Sequence, residues 1–136
     1  TGQGVSGNIF NNASSVIHFG KDVRFNLGRF LTGSMDEVRI WNRALCIDEI
    51  LNNRTCQLPT NQNGLIGYYK FNEGSAGGNN TSITSLIDHS SNNRHGSFVN
   101  MALNGTGASN YITQPNALSG STCNPYIPPA ISASNN

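Results

Sequence analysis

Residues 33–50, GSMDEVRIWNRALCIDEI, constrain this chain more than any other stretch. Residues 33–42 read as a strand, residues 43–45 as a tight corner, and residues 45–53 as a short helix. The helix start follows a recognisable pattern. Cys46 falls at the N-cap and Glu49 at N3, the spacing of a capping box. Leu45 at N′ and Ile50 at N4 are spaced as a hydrophobic staple. A thiol is a weak acceptor for the N3 amide, so Cys46 is expected to cap poorly.

The rest of the composition agrees with a β-rich chain. Charged residues make up 11% of the 136 residues, against ~25% in ordinary globular chains. Asn, Ser, Thr and Gly take their place. These residues form turns, because Gly and Asn tolerate positive φ and Ser and Asn bond their own backbone. The formal net charge of +1, with basic residues scattered, excludes a nucleic-acid footprint. No apolar run approaches the ~18–20 residues of a membrane span. The chain starts without Met or a signal-peptide pattern and is expected to be a piece of a larger protein.

Weaker strands are expected at 5–10 and 15–20, with Val23, Phe25 and Leu27 alternating within a strand at 21–31. LIGYYKF, residues 65–71, is the second strong strand, with Leu65, Gly67, Tyr69 and Phe71 on one face and Ile66, Tyr68 and Lys70 on the other. Pro59 bars a central strand before it. Further strands are expected at 82–87, 97–103 and 111–113, separated by the loop EGSAGGNN and the turn DHSSNNRHG. From Gln114 onward the Pro-, Ser- and Asn-rich sequence reads as a tail. Short strands between Gly/Asn turns, with one helix at about 46–53, point to an all-β fold, an antiparallel β-sandwich.

Three cysteines leave one thiol over or one bond to another chain, and none forms a CxxC pair of the kind that binds zinc. The Asn-rich, lysine-poor composition fits an oxidising, extracellular setting. Asn-x-Ser/Thr sequons occur at Asn12, Asn53, Asn79, Asn80 and Asn104.

The 33–50 segment resembles the concanavalin A-like jelly-roll domains of the laminin-G and pentraxin type (LamG-like). Their late strand reads roughly G-x-[IM]-D-E-[VL]-R-[IV]-[WY]-N-R-A-L, followed by a helix opening Ser-x-x-Glu-Ile. The matching residues are Gly33, Met35, Asp36, Glu37, Val38, Arg39, Ile40, Trp41, Asn42, Arg43, Ala44, Leu45, Glu49 and Ile50. Cys46 departs from the pattern. Residues 63–111 are similar to blocks in large secreted bacterial surface proteins, and LIGYYKFNEG looks like the opening strand of a jelly roll. A late strand ahead of an opening-type strand implies a sandwich whose first part lies outside this chain, or a permuted order or two-module junction. The resemblance further implies a jelly roll over 1–123 with a linker at 124–136. It places Cys56 and Cys123 where such proteins have their cysteines; a Cys46–Cys56 bond is the alternative. Many relatives carry Ca²⁺.

The candidate chemistry is limited. Asp36 and Glu37 are adjacent, so in a strand they face opposite ways and cannot form a glycosidase pair. They read as structural: Asp36 to backbone, Glu37 to Arg39 or Arg43. With Leu45, Cys46, Glu49 and Ile50 these residues would frame the strand–helix corner. Asp88 and Asn92, joined by Glu73 through tertiary contact, offer oxygen ligands for Ca²⁺, while an Asx-turn is the plainer account of Asp88. His18, His89 and His95 lack a metal-ligand spacing. No nucleophile–His–acid arrangement is legible, and GSAGGNN lacks the Lys of a phosphate loop. Trp41, Tyr68 and Tyr111 could present flat rings to a sugar, against core packing as the default for strand aromatics.

The expectation is therefore a non-catalytic extracellular module that serves adhesion or carbohydrate binding. Its partners would be glycans or cell-surface proteins. The rival is a structural spacer or self-assembling subunit, joined through strand edges to other copies or to the rest of a larger chain. A weaker rival is an ancillary module of a secreted hydrolase.

Overall fold

Alternating apolar residues around 21–31 suggested one strand, but the chain there pairs with itself. Strand β1 (Lys21–Asp22) lies antiparallel to β2 (Arg29–Phe30), with Lys21 opposite Phe30 and Asp22 opposite Arg29. The computed structural model describes residues 16–22, 29–105, 109–113 and 121–124. The strand expected at 5–10, residues Val23, Phe25 and Leu27, and Asn12 lie outside them. Residues 16–20 form no strand. The chain divides into two units, Thr1–Ser34 and Met35–Asn136. The first holds β1 and β2, and the second holds the strands and helix that follow.

Strand β3 (Val38–Trp41) is shorter than the 33–42 expected. Glu37 has φ +52°, a left-handed conformation that breaks the extended run just ahead of Val38. After a corner comes helix α1 (Ile47–Asn53), then β4 (Leu65–Tyr69), β5 (Ser85–Leu86) and β6 (Gly96–Ser97). Strand β4 ends before Phe71, which again has positive φ (+55°). Asn100 and Leu103, at φ +56° and +51°, break the strand expected at 97–103. No strand forms at 111–113. Among the described residues the strands form three two-stranded antiparallel sheets, β1–β2, β3–β4 and β5–β6. The result is a small β-rich protein with one short helix.

The β3–β4 ladder positions the core. Arg39 lies opposite Tyr68 and Ile40 opposite Gly67, but Trp41 lies opposite Leu65. Ile66 is thus skipped as a bulge, and a bulge shifts which residues share a face. Strict alternation would separate Leu65 from Tyr68. Instead both enter one core cluster with Leu58 and Cys123, against which Trp41 and Cys56 pack. Cys56 and Cys123 form a disulfide, with Cα atoms 5.0 Å apart. It holds 121–124 against the body: Gln57 N donates to Ser121 O (2.8 Å) and Cys123 N to Gln57 O (2.7 Å). The tail expected from Gln114 onward is therefore docked at this point.

Helix α1 is turned opposite to its sequence pattern. Glu49 and Asn53, four apart on one face, are each 5% exposed, while Ile47, Ile50 and Leu51 are 66%, 44% and 48% exposed. The expected staple thus leaves Ile50 at the surface. Cys46 is the N-cap, in extended conformation, and makes no side-chain cap bond. No helix among the described residues is long and apolar enough to cross a membrane.

Candidate functional site

The side chains of the β3 motif build a buried polar cluster. The Arg39 guanidinium donates to the Asn53 carbonyl at the end of α1 (2.5 Å), to the Cys56 carbonyl (2.5 Å) and to Glu37 Oε2 (2.8 Å). It therefore satisfies one carbonyl, that of Asn53, which a helix C-terminus leaves without an internal partner, and a second in the loop beyond. The Tyr68 hydroxyl donates to the same Glu37 oxygen and accepts the Leu58 amide at 3.1 Å. Arg39 Cζ and Lys70 Nζ lie 5.4 and 5.3 Å from the Tyr68 ring centroid, within cation–π range. Burial, and then the hydrogen bond to Glu37, pushes the Tyr68 hydroxyl up to about 12. Glu37 Oε1 and Arg39 Nε are buried without a hydrogen-bond partner among the described residues. The pairing of Glu37 with Arg39 was legible in the sequence; the part of Tyr68 was not. Asp36 is exposed and engaged elsewhere.

A second pair fixes the corner. Arg43 Nη1 donates to Glu49 Oε2 at 2.8 Å, and Nη2 bonds Oε1. Hydrogen bonding to Arg43 holds the Glu49 carboxyl below its ordinary range, aided by the Cys46 backbone amide. Half of the capping box is therefore made, from Glu49 back to the N-cap amide, and the thiol half is missing. Leu45 is half-buried beside it. Gly64 sits against this corner at φ +80°, and a Cβ there would lie 2.8 Å from Asn42 Oδ1 and 2.9 Å from Arg43 Cδ.

The oxygen-rich turn after β5 does not assemble as a cation site. Asp88 is 2% exposed, and its carboxylate faces donors. Oδ1 accepts the Tyr68 amide (2.9 Å) and the Ser90 amide (2.8 Å); Oδ2 accepts the Ser90 hydroxyl (2.9 Å) and the Arg94 amide (2.8 Å). Burial alone would raise this carboxyl, but those bonds outweigh it and hold it below its ordinary value. Glu73 is likewise occupied, Oε1 by the Ile87 amide (3.0 Å) and Oε2 by the Tyr111 hydroxyl (3.2 Å). Asn92 Nδ2 donates to the Ile66 carbonyl at 3.3 Å. Carboxylates aimed at N–H and O–H groups are not arranged to ligate Ca²⁺, and no acidic, His or Cys cluster of metal-binding size occurs among the described residues. The Asx-turn is the better account of Asp88. His95 Nδ1 accepts the Asp88 amide (3.0 Å), so this ring belongs to the turn.

The three aromatic candidates form no shared exposed platform, since Trp41 packs against the core cluster in which Tyr68 is buried. Tyr68 is 0% exposed and offers no ring face, which corrects its assignment to a sugar platform. Trp41 is half-buried opposite Leu65, at one end of β4, with Arg43 Cζ 5.1 Å from its ring. Tyr111 is half-buried, and its ring packs so closely on Gly74 that no Cβ would fit there.

A further polar cluster joins two loops. Asn80, 4% exposed, donates through Nδ2 to Ser75 O (2.8 Å) and Asn110 Oδ1 (2.7 Å), and its Oδ1 accepts the Ser75 amide (2.8 Å). Asn110 Nδ2 in turn donates to Gly78 O (2.9 Å) and Gly105 O (2.7 Å). Two asparagines thereby lock the loops at 73–80 and 103–111 together. In so Asn-rich a chain no spacing marks Asn80 and Asn110 as partners. No family model, curated protein or solved structure matches the chain.

Proposed function

We propose that the chain is a non-catalytic, extracellular LamG-like module of a bacterial surface or secreted protein, built on a concanavalin A-like jelly-roll sandwich, and that it serves adhesion or carbohydrate binding. The observation that carries this reading is the clamped loop system. Asn80 and Asn110 hold one pair of loops through hydrogen bonds from Nδ2 of Asn80 to Ser75 O and to Asn110 Oδ1, from Ser75 N to Oδ1 of Asn80, and from Nδ2 of Asn110 to Gly78 O and to Gly105 O. Asp88 holds the next turn. Loops fixed in advance lose little entropy on binding. Their exposed side chains, such as Asn92, Asn93 and Asn104, are uncharged amides suited to hydroxyl groups. Trp41 and Tyr111 remain as partly exposed rings at separate places.

A glycan array read with and without Ca²⁺ tests this. Retention of a glycan class is expected, and it should disappear when residues 73–80 are replaced by a Gly/Ser linker of equal length. Absence of any retained glycan would overturn the carbohydrate reading.

The rival structural role is favoured by different features. Strand β3 has β4 on one side and no strand on the other among the described residues. The apolar face of α1 is exposed. Light scattering after size exclusion separates the two: growth of mass with concentration favours self-assembly.

A further inference from the structure

Three of the five sequons, at Asn53, Asn79 and Asn80, lie wholly within the described residues, and among these the fold separates the one that can accept a sugar from the two that cannot. Asn53 is 5% exposed and packed at the end of α1, where Arg39 binds its carbonyl. Asn80 is 4% exposed, and both hydrogens of its amide nitrogen are used by Ser75 and Asn110. A nitrogen so held has neither room nor a free hydrogen for substitution. Asn79, one residue earlier, is the opposite case. It is exposed, and only its Oδ1 is engaged, accepting the Thr81 amide (3.2 Å) and the Thr81 hydroxyl (2.7 Å). Among the described residues nothing takes the hydrogens of Asn79 Nδ2. Thr81 is exposed as well, so the acceptor amide and the hydroxyl two residues on are presented together at the surface.

We propose that Asn79 is the acceptor of an N-linked glycan on the folded chain, and that Asn53 and Asn80 are closed to it. The donor is a saccharide carried on a polyprenyl diphosphate. Asn79 Nδ2 forms a bond to the anomeric carbon as the bond from that carbon to the diphosphate oxygen breaks. The diphosphate leaves with the electron pair, and the Nδ2 proton passes to a base of the transferase. This inference is independent of whether the module itself binds sugars.

The test is secretion of the full chain from yeast, isolation of the folded, disulfide-bonded fraction, and enzymatic deglycosylation in ¹⁸O water, which marks each former acceptor. Residue-resolved mass spectrometry is expected to find the label at Asn79 and none at Asn53 or Asn80. The variant Thr81→Ala distinguishes the neighbours, because it destroys the Asn79 sequon and leaves Asn80-x-Ser82 intact. It is expected to abolish labelling at 79–80. Label on Asn80 or Asn53 in the folded fraction, label retained in Thr81→Ala, or an unlabelled Asn79 would each overturn the proposal.

Discussion

Arg39 and Tyr68 face each other across the β3–β4 ladder, with the guanidinium carbon 5.4 Å from the ring centroid and both side chains bonded to the same oxygen of Glu37. Through this pair a strand, a helix end and the disulfide loop share one set of hydrogen bonds. Replacing Arg39 with Met keeps most of the stem but strands the buried Glu37 and two carbonyls. Removing one member of a buried ion pair costs about 3 kcal/mol or more. Urea unfolding should show a loss of that size, larger than that of Glu37→Gln combined with Arg39→Met.

Tyr68 makes the fold sensitive to alkali. Its folded pKa of about 12 lies above the ordinary 10, so its contribution is fully present below pH 10 and is lost as pH rises through 10 to 12. Tyr111 is shifted in the same direction by burial and by Glu73. Melting temperature should fall over that window. The variant Tyr68→Phe should lose about 1–3 kcal/mol at neutral pH, since Leu58 N and Glu37 lose a buried partner, and its alkaline decline should be shallower.

Acid acts through the carboxylates held low. Asp88 and Glu49 both have folded pKa values below ordinary, so their stabilisation is present above the ordinary carboxylate range and is lost as pH falls through the folded values. Calorimetry from pH 6 downward should show the decline. Asp88→Asn should cost about 2 kcal/mol at pH 6, because the amide turns a donor toward the Arg94 amide and the Ser90 hydroxyl. Its acid decline should be correspondingly smaller.

The N-cap of α1 can be improved. Cys46 makes no side-chain cap bond, although its backbone is already extended as an N-cap requires. A serine hydroxyl in that place accepts the N3 amide. Cys46→Ser should raise stability by about 0.5–1 kcal/mol, read as a higher denaturation midpoint at unchanged slope. A lower midpoint would show that the thiol has a packing role the hydroxyl cannot fill.

Opening the Cys56–Cys123 bond frees a loop of 67 residues' separation. In the chain-entropy account its closure contributes about 4 kcal/mol. Reduction should lower the melting temperature sharply, and Cys56→Ala with Cys123→Ala should match the reduced protein.

Local chemistry settled much in advance. The 33–50 stretch marked β3, the two-faced run LIGYYKF marked β4, the capping-box spacing from Cys46 to Glu49 marked the helix start, and the proximity of Glu37 to Arg39 marked their pairing. These are effects of neighbours a few residues apart, and a linear sequence carries them. Tertiary structure decided what depends on distant partners. Ile66 bulges out of the ladder, so Leu65 and Tyr68 share a core that alternation would have divided. Helix α1 turns Glu49 and Asn53 inward because Arg43 binds the Glu49 carboxylate and Arg39 the Asn53 carbonyl, against the apolar pattern of the helix itself. Asp88 spends its carboxylate on Tyr68, twenty residues away, which no spacing rule distinguishes from a calcium ligand. The 33–50 stretch thus specified its own strand, corner and charge pairs, while the further partners of Arg39 and Glu37, the Asn53 and Cys56 carbonyls and the Tyr68 hydroxyl, are residues that only folding brings within hydrogen-bond reach.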